Sequence, residues 1–351
     1  MNFISVKFIY VLGQKSFNMN KLIMLAALTF GFACKSQQNV AVKDTSVQAY
    51  ELSQYIEENE IKEMLYTYAS DEFKGREAGS EFEYIATEYI RDFYKDLGIA
   101  AAPGTQDYYQ LIPQGTYSRL AGDANNVVAY LPGTDKADEI IVLSAHLDHL
   151  GVHNGKTYNG ADDDGSGTIA IMNIAKAMKK ASDKGIKPRR TIVFLHVTGE
   201  EKGLYGSHYY ADNPLLPLEN TITNLNIDMI GRVDDEHKDD EDYLYLIGSE
   251  MLSKELKQVS DEVNDKHFKM NFDYRFDEPN DPNRFYYRSD HYNFAKNGIP
   301  VIFYFNGTHD DYHKDSDTAD KINYPLLTKR TKLIFATAWT LANRENKPAL
   351  D

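Results

Sequence analysis

The order of apolar segments constrains the fold of this chain more than any other feature of its sequence. Short β-rich segments at 140–143, 191–197, 221–227 and 300–305 alternate with helical periodicity at 168–180, 253–264 and 326–343. Such alternation predicts parallel strands whose two faces are both covered by helices. We therefore predict an α/β fold: a mixed, mainly parallel twisted sheet sandwiched between helices, with an antiparallel edge.

Local signals add detail to the first third of the chain and to its loops. Residues 50–68 have helical spacing, and Ser80 to Leu97 forms a second helical pattern that starts with a capping box (Ser80, Glu83) and ends at Gly98. Residues 126–130 and 140–143, joined by a turn at Pro132-Gly133, predict a β-hairpin. The charged stretch 234–242 and the stretch 273–284 are predicted to be surface insertions.

The N-terminus has the pattern of an export signal. Residues 1–34 contain three lysines and no acidic residue, and the apolar run 22–33 has the length of a signal peptide core. Cys34 follows directly, an arrangement that resembles a bacterial lipoprotein signal. We predict a signal peptide at 1–33, starting at Met1 or Met19, lipid attachment to Cys34, and a tether at 35–49. The mature chain would then be periplasmic or anchored to the outer membrane; a plain secretory signal is the alternative.

Charge and cysteine content exclude several classes of protein. The 38 basic and 53 acidic residues give a formal charge of −15, which excludes a nucleic-acid partner bound by a basic face. A single cysteine excludes an internal disulfide framework and a zinc site built on CxxC.

Polar clusters follow the predicted strands at the end where parallel sheets bind ligands. These clusters are SAHLDH (144–149), TGEE (198–201), Asp228 and HDDYH (309–313), and DDD (162–164) precedes the helix at 168. So many carboxylates at one sheet edge would repel one another unless cations lie between them. Carboxylate and imidazole ligands without thiolate suit zinc with an open position, or manganese or cobalt.

Six ordered motifs carry a family resemblance: SAHLDHLG, NGADDDGSG, TGEEKGLYGS, NIDMIGR, SDHYNFAKNGIPVIFY and DYHKDSDT. With the upstream stretch DEFKGREAGSEFEYIATEYI, the sequence resembles the co-catalytic zinc aminopeptidases from about residue 60 to 325. That family also contains glutamate carboxypeptidase II and the transferrin receptor. The resemblance implies the zinc-exopeptidase (phosphorylase/hydrolase-like) fold. It also implies a single catalytic domain at 60–345 without a protease-associated insertion, preceded by 34–59 as tether and start of the first helix.

The resemblance assigns ligands for two zinc ions per chain, with manganese or cobalt as substitutes. Asp163 bridges the two metals, one of which is completed by His146 and Asp228 and the other by Glu201 and His313. His149 and His309 lie near the site without being assigned as ligands.

The same resemblance assigns three catalytic residues. Glu200 is the general base, Asp148 orients His146, and Tyr312 donates a hydrogen bond to the oxyanion. Ser289, Asp290 and His291 are assigned to structural support.

Peptides with a free N-terminus are the predicted substrates, because a substrate amine suits an acidic site. A dipeptidase or carboxypeptidase on the same scaffold is the alternative, and Arg76, Arg284 and Arg288 are its candidate clamps for a terminal carboxylate. Glutaminyl cyclases share the fold, but their aspartate motif lacks DDDGSG. A non-catalytic binding ectodomain would require loss of ligands that are all present here.

Overall fold

The computed structural model describes residues 45–278 and 280–351, so the predictions for the signal peptide and for Cys34 lie outside the described residues. Eight α-helices are found in this part of the chain: α1 (Thr45–Ser53), α2 (Glu58–Tyr68), α3 (Glu81–Leu97), α4 (Gly167–Asp183), α5 (Tyr205–Asp212), α6 (Lys254–Val263), α7 (His291–Ala295) and α8 (Tyr324–Asn343). None of these helices combines the length and the apolarity that a membrane span requires.

A nine-stranded mixed sheet forms the centre of the fold, and two further strands form a separate ribbon. The strands are β1 (Ala100–Ala101), β2 (Tyr109–Ile112), β3 (Ala124–Leu131), β4 (Lys136–His146), β5 (Gly151–His153), β6 (Lys156–Tyr158), β7 (Arg190–Val197), β8 (Thr221–Ile227), β9 (Tyr243–Ile247), β10 (Asn271–Asp273) and β11 (Val301–Phe305). The large sheet has the order β1-β3-β7-β4-β8-β11-β9-β10, with β2 paired to β3, while β5 pairs with β6.

The four central strands β7, β4, β8 and β11 are parallel, and antiparallel pairs flank them on both sides. The predicted fold class is therefore confirmed. Antiparallel pairing is more extensive than the single edge that we predicted, because β9 joins β11 in the opposite direction.

Helices cover both faces of the sheet, as continuous apolar strands require. Along β4, Ile141 and Leu143 point into the core shared with α4 and α8, whereas Val142 points into the core shared with α5 and α7. This alternation follows from the two-residue period of a strand. Each such fully buried aliphatic side chain contributes roughly 1.5–3 kcal/mol to folding.

Helix α3 forms as predicted, with a modified cap. The Ser80 hydroxyl accepts hydrogen bonds from the backbone N–H groups of Phe82 and Glu83, and Gly98 ends the helix in the left-handed region. In a capping box the Glu83 carboxylate would accept from Ser80, but here it accepts from the Gly79 N–H at 2.6 Å. It also pairs with the Thr198 hydroxyl, which links α3 to the loop after β7.

The predicted hairpin between the segments that form β3 and β4 is wrong. Both strands exist and run in opposite directions, but β7 lies between them, antiparallel to β3 and parallel to β4. The turn at Pro132-Gly133 therefore connects two strands that are not neighbours.

Three smaller expectations also differ from the structure. The helix expected at 50–68 is broken into α1 and α2, because the backbone N–H groups of residues 54–56 bond three residues back and end α1. Helix α1 begins at Thr45, inside the stretch that we predicted as tether. The charged stretch 234–242 is not wholly a surface loop, since Asp234 and His237 are buried and paired at 2.9 Å.

Candidate metal centre

The carboxyl ends of the four central strands bring the predicted ligands to one edge of the sheet. His146 is the last residue of β4, Asp228 directly follows β8, and Glu201 lies four residues after β7. His313 belongs to the loop after β11, and Asp163 to the loop that leads into α4. Parallel strands end at the same edge, so residues distant in sequence become neighbours.

The first cluster consists of His146, Asp163 and Asp228, all buried. The His146 Nε2 atom lies 3.0 Å from Asp163 Oδ1 and 3.6 Å from Asp228 Oδ1. One ligand atom from each residue falls within 4.8 Å of the others, which is close enough for a single ion to contact all three.

The second cluster shares Asp163 and adds Glu201 with two imidazoles. His313 Nε2 lies 3.1 Å from Asp163 Oδ2 and 3.2 Å from Glu201 Oε2. His149, which was not assigned as a ligand, places its Nδ1 atom 2.8 Å from Glu201 Oε1 and 3.9 Å from Asp163 Oδ2. Two imidazoles therefore approach the same pair of carboxylates.

The electrostatics of these clusters match a site for cations. Burial alone would raise the pKa of Asp163, but the adjacent imidazoles of His146 and His313 hold that pKa well below its usual value. Burial alone would lower the pKa of His313, yet Asp163 and Glu201 raise it to about 10. Positive charge is thus strongly stabilised beside these carboxylates, whether a proton or a metal ion carries it.

Buried atoms without hydrogen-bond partners test whether a metal fits. Among the described residues, His146 Nε2, Asp163 Oδ2 and Glu201 Oε1 are all buried and make no hydrogen bond. Buried polar atoms are normally paired, so three such atoms facing one another suit a metal ion as their shared partner. Imidazole nitrogen and carboxylate oxygen are the donors that zinc prefers in open sites, and the residues present fit this metal.

In the loop at 161–166, the neighbouring residues Asp162 and Asp164 hold Asp163 in place. Asp164 accepts backbone hydrogen bonds from His146, Gly167 and Met229 at 2.9–3.1 Å. The peptide bond between Asp163 and Asp164 is cis. A Cβ atom at Gly167 would lie 2.4 Å from the Asp164 carboxylate, so only glycine permits this close approach.

Asp162 and Asp317 complete the support of this loop. Asp162 accepts from the Gly231 N–H at 2.6 Å and lies 3.1 Å from His309 Nε2. His309 thus points to Asp162 and is not part of either cluster. The Asp317 carboxylate accepts the backbone N–H groups of both Asp162 and Asp163 at 3.0–3.1 Å. Sequence reasoning missed Asp317, although it lies in the quoted motif DYHKDSDT.

Asp148 contacts His146 differently from the predicted arrangement. His146 Nδ1 lies 3.0 Å from the backbone carbonyl oxygen of Asp148 and 3.8 Å from its carboxylate. The carboxylate instead accepts the backbone N–H of Glu200 at 3.1 Å. Asp148 therefore holds the His146 ring with its backbone and the Glu200 loop with its side chain.

Glu200 and Tyr312 line the same cleft as Asp163, Asp228 and His313. Burial, together with the neighbouring carboxylates of Glu201 and Asp228, raises the pKa of Glu200 well above its usual value. Burial also raises the pKa of Tyr312, so its hydroxyl remains a hydrogen-bond donor. The Tyr312 ring stacks on the ring of His313 with centroids 3.9 Å apart.

The three residues assigned to support are all buried behind the first cluster. Ser289 donates a hydrogen bond to Asp228 Oδ2 at 2.7 Å, and the Asp290 carboxylate pairs with the Ser207 hydroxyl. His291 stacks on Phe303 with ring centroids 4.7 Å apart.

The three candidate arginine clamps occupy different environments. Arg76 is fully buried and donates to the backbone carbonyls of residues 68, 147, 159 and 160, so its guanidinium supports the fold. Arg284 is exposed and lies outside the cleft, 5.0 Å from the Tyr287 ring. Arg288 lines the cleft itself.

Known proteins resemble this chain over most of its length. The model of peptidase family M28 matches residues 126–338, more than half of the chain. A probable zinc metalloprotease from Pyrenophora tritici-repentis is 28% identical over 314 residues, covering 76% of this chain and 61% of that protein. Leucine aminopeptidase 2 from Arthroderma otae is 28% identical over 240 residues, covering 61% and 44%. The chain thus spans about half to two thirds of the length of such relatives.

Solved structures share the fold. The LapA aminopeptidase of Legionella pneumophila superimposes with a TM-score of 0.67 at 22% identity, covering 86% of this chain and 76% of that one. Glutaminyl cyclase from Porphyromonas gingivalis gives a TM-score of 0.63 at 18% identity, covering 81% and 98%. Sequence, fold and the paired His/carboxylate clusters agree on one family. The chain belongs to peptidase family M28.

Proposed function

We propose that this chain is a metallo-aminopeptidase that binds two zinc ions and removes N-terminal residues from peptides. The observation that carries this proposal is the position of Asp163 between two clusters of buried, unpaired ligand atoms. A carboxylate shared between two clusters suits two metal ions held close together.

The proposed ligands divide between the two ions. His146, Asp228 and one oxygen of Asp163 would hold the first ion, and the other oxygen of Asp163 with Glu201 and His313 would hold the second. Bound zinc would supply positive charge that polarises the peptide carbonyl and acidifies a water molecule.

Residues of the cleft would perform the proton transfers and bind the substrate. Glu200 takes a proton from the attacking water and delivers it to the nitrogen of the leaving amine. The Tyr312 hydroxyl donates a hydrogen bond to the carbonyl oxygen as negative charge develops on it. Phe285, Phe303 and Phe305 form an apolar wall of the same cleft, which would contact a substrate side chain.

The preference for a free amine follows from the charge of the cleft. Asp163, Glu200 and Asp228 line it, and Glu200, which is not assigned to a metal ion, leaves a carboxylate to which a substrate ammonium group is attracted. An acetylated N-terminus removes that charge and should prevent hydrolysis.

The test is hydrolysis of matched peptides by the purified chain. We expect release of the first residue from leucine-containing peptides with a free N-terminus, no release from their acetylated forms, and loss of activity with a chelator that added zinc restores. Release of C-terminal residues from acetylated peptides would instead establish the carboxypeptidase alternative. Cyclisation of N-terminal glutamine without peptide hydrolysis would establish a glutaminyl cyclase.

We also propose that the chain is exported and lipidated at Cys34. Three lysines without an acidic residue, the apolar run 22–33 and the single cysteine after it support this proposal. The enzyme would then act on peptides outside the cytoplasm, at a membrane surface.

A further inference from the structure

Arg288 is a cation in a cleft whose lining includes three carboxylates. It shares this cleft with Asp163, Glu200, Asp228, Tyr312 and His313. Its guanidinium lies over the ring of Phe285, 4.8 Å from the ring centroid, and its side chain is exposed. Cation–π contact with one face of a guanidinium leaves its N–H groups free to bind another partner.

Hydrogen bonds at Arg288 and at the next residue hold this segment in place. The Arg288 N–H bonds to the Phe285 carbonyl oxygen at 3.0 Å, and the next residue, Ser289, donates to Asp228 in the first metal cluster. The backbone of Arg288 is therefore anchored beside Asp228, at the rim of the proposed reaction centre.

Within residues 45–278 and 280–351, no carboxylate lies within ion-pair distance of Arg288. Arg232, by contrast, pairs with Asp311 at 2.9 Å, and Arg189 pairs with Asp135 and Glu345. The guanidinium of Arg288 is thus available to a group that enters the cleft.

We propose that Arg288 is a specificity-determining residue that binds a carboxylate of the substrate. A planar guanidinium binds a carboxylate through two parallel hydrogen bonds. The carboxylate has two possible sources: the side chain of an acidic residue, or the C-terminal carboxylate of a dipeptide. This inference rests on the proposed peptidase function and extends it to a class of substrate.

Two matched substrate pairs separate these sources. The pair Asp-Ala-amide and Asn-Ala-amide tests the side chain, and the pair Leu-Gly and Leu-Gly-amide tests the terminal carboxylate. For each pair, kcat/KM of the carboxylate form is divided by that of the neutral form. The ratios are compared in the zinc-loaded wild type, Arg288→Gln and Arg288→Lys, with Arg284→Gln as the matched control outside the cleft.

We expect Arg288→Gln to lower one of the two ratios about tenfold, as loss of a charge-assisted hydrogen bond predicts, with little change for the neutral peptides. Arg288→Lys should recover part of that ratio, and Arg284→Gln should leave both ratios unchanged. The pair that responds identifies the source of the carboxylate. If Arg288→Gln leaves both ratios unchanged, or slows charged and neutral peptides equally, the proposal is wrong.

Binding measurements keep this test independent of turnover. Calorimetric titration of the zinc-loaded chain with the same four peptides should show tighter binding of one carboxylate form, and Arg288→Gln should abolish the difference. Absence of hydrolysis with this binding preference intact would refute the peptidase proposal while supporting the role of Arg288. Equal binding of charged and neutral forms by the wild type would refute the role of Arg288.

Discussion

Asp162, Asp163 and Asp164 are identical side chains in consecutive positions, and their surroundings give them three different roles. Asp164 accepts three backbone N–H groups and connects β4, α4 and the segment after β8. Asp162 accepts from Gly231, which fixes the loop from the other side. Asp163 alone makes no hydrogen bond through its buried Oδ2 atom. The loop is therefore rigid on both sides of the one carboxylate that faces both clusters.

Glu200 and Glu201 allow the sharpest test at the residue scale. Glu200→Gln keeps the size of the side chain but cannot accept a proton from water, so the rate should fall by roughly 10²–10⁴ while both metal ions remain bound. Glu201→Gln should instead weaken metal binding, and excess zinc should restore part of the activity. Turnover and metal content of both variants decide the assignment; a near wild-type rate for Glu200→Gln would require a different base.

Metal stoichiometry tests the bridging role of Asp163. We expect two zinc ions per wild-type chain, neither in Asp163→Ala, and one in His313→Ala, since only Asp163 faces both clusters. Elemental analysis after dialysis measures this directly. His149→Ala is the matched comparison, because His149 approaches the same Glu201 carboxylate. Loss of one ion from His149→Ala but none from His313→Ala would transfer the ligand role to His149.

At the scale of elements, the sequence predicts where strands and helices lie better than it predicts which strands pair with each other. The segments that form β4, β7, β8, β11 and α4 were identified, because continuous apolar runs and helical periodicity are local signals. The pairing of β3 with β7 depends on contacts between distant segments, and no local signal encodes it. Strand β9 was missed beside a charged stretch, although its sequence YLYLI has the required pattern.

In the site, too, local sequence signals predicted which residues take part, but not all of the contacts between them. Five ligands were predicted from strand ends and motif resemblance, and the structure brings all five together. The closeness of His149 to Glu201 and the backbone contact between Asp148 and His146 depend on how loops turn. These contacts are set by three-dimensional packing and could not be predicted from residue types.

Glu83 provides a prediction for the contact between α3 and the loop after β7. Burial raises the pKa of Glu83 from 4.5 to about 8, so between these values the folded chain holds a proton that the unfolded chain has released. Folding stability should therefore fall as pH rises from about 4.5 through about 8, by up to a few kcal/mol at about 1.4 kcal/mol per pKa unit.

Glu83→Gln carries a neutral amide of the same shape and should remove this component of the pH dependence. Urea unfolding of wild type and variant between about pH 5 and pH 9 measures it, because the difference between the two curves isolates Glu83 from other groups. Parallel curves would show that Glu83 is ionised throughout the range in the folded chain.

At the scale of the whole molecule, we propose that the first 34 residues decide the location of the chain. The chain carries 53 acidic and 38 basic residues, an excess that bears on its surroundings. An acidic surface is repelled by anionic lipid, so this excess opposes contact between the protein and a membrane. The lipid proposed at Cys34 would hold the chain at a membrane surface despite this repulsion.

Cys34→Ser tests that anchor. We expect wild-type chain to fractionate with membranes and to begin at Cys34, because the apolar run ends there and the chain has a single cysteine. The Cys34→Ser variant should appear in the soluble fraction or retain its signal peptide. Fractionation and mass spectrometry of the N-terminus measure both properties; a soluble wild-type chain that begins elsewhere would contradict lipidation.

The position of β7 between β3 and β4 has a consequence for biosynthesis. A nascent chain that has emerged only as far as the end of α4 contains β3 and β4 but lacks the strand that separates them. Both strands then expose unpaired backbone groups and invite pairing with each other or with a second chain. Correct assembly has to wait for residues 190–197, which favours keeping β3 and β4 apart until that segment has emerged.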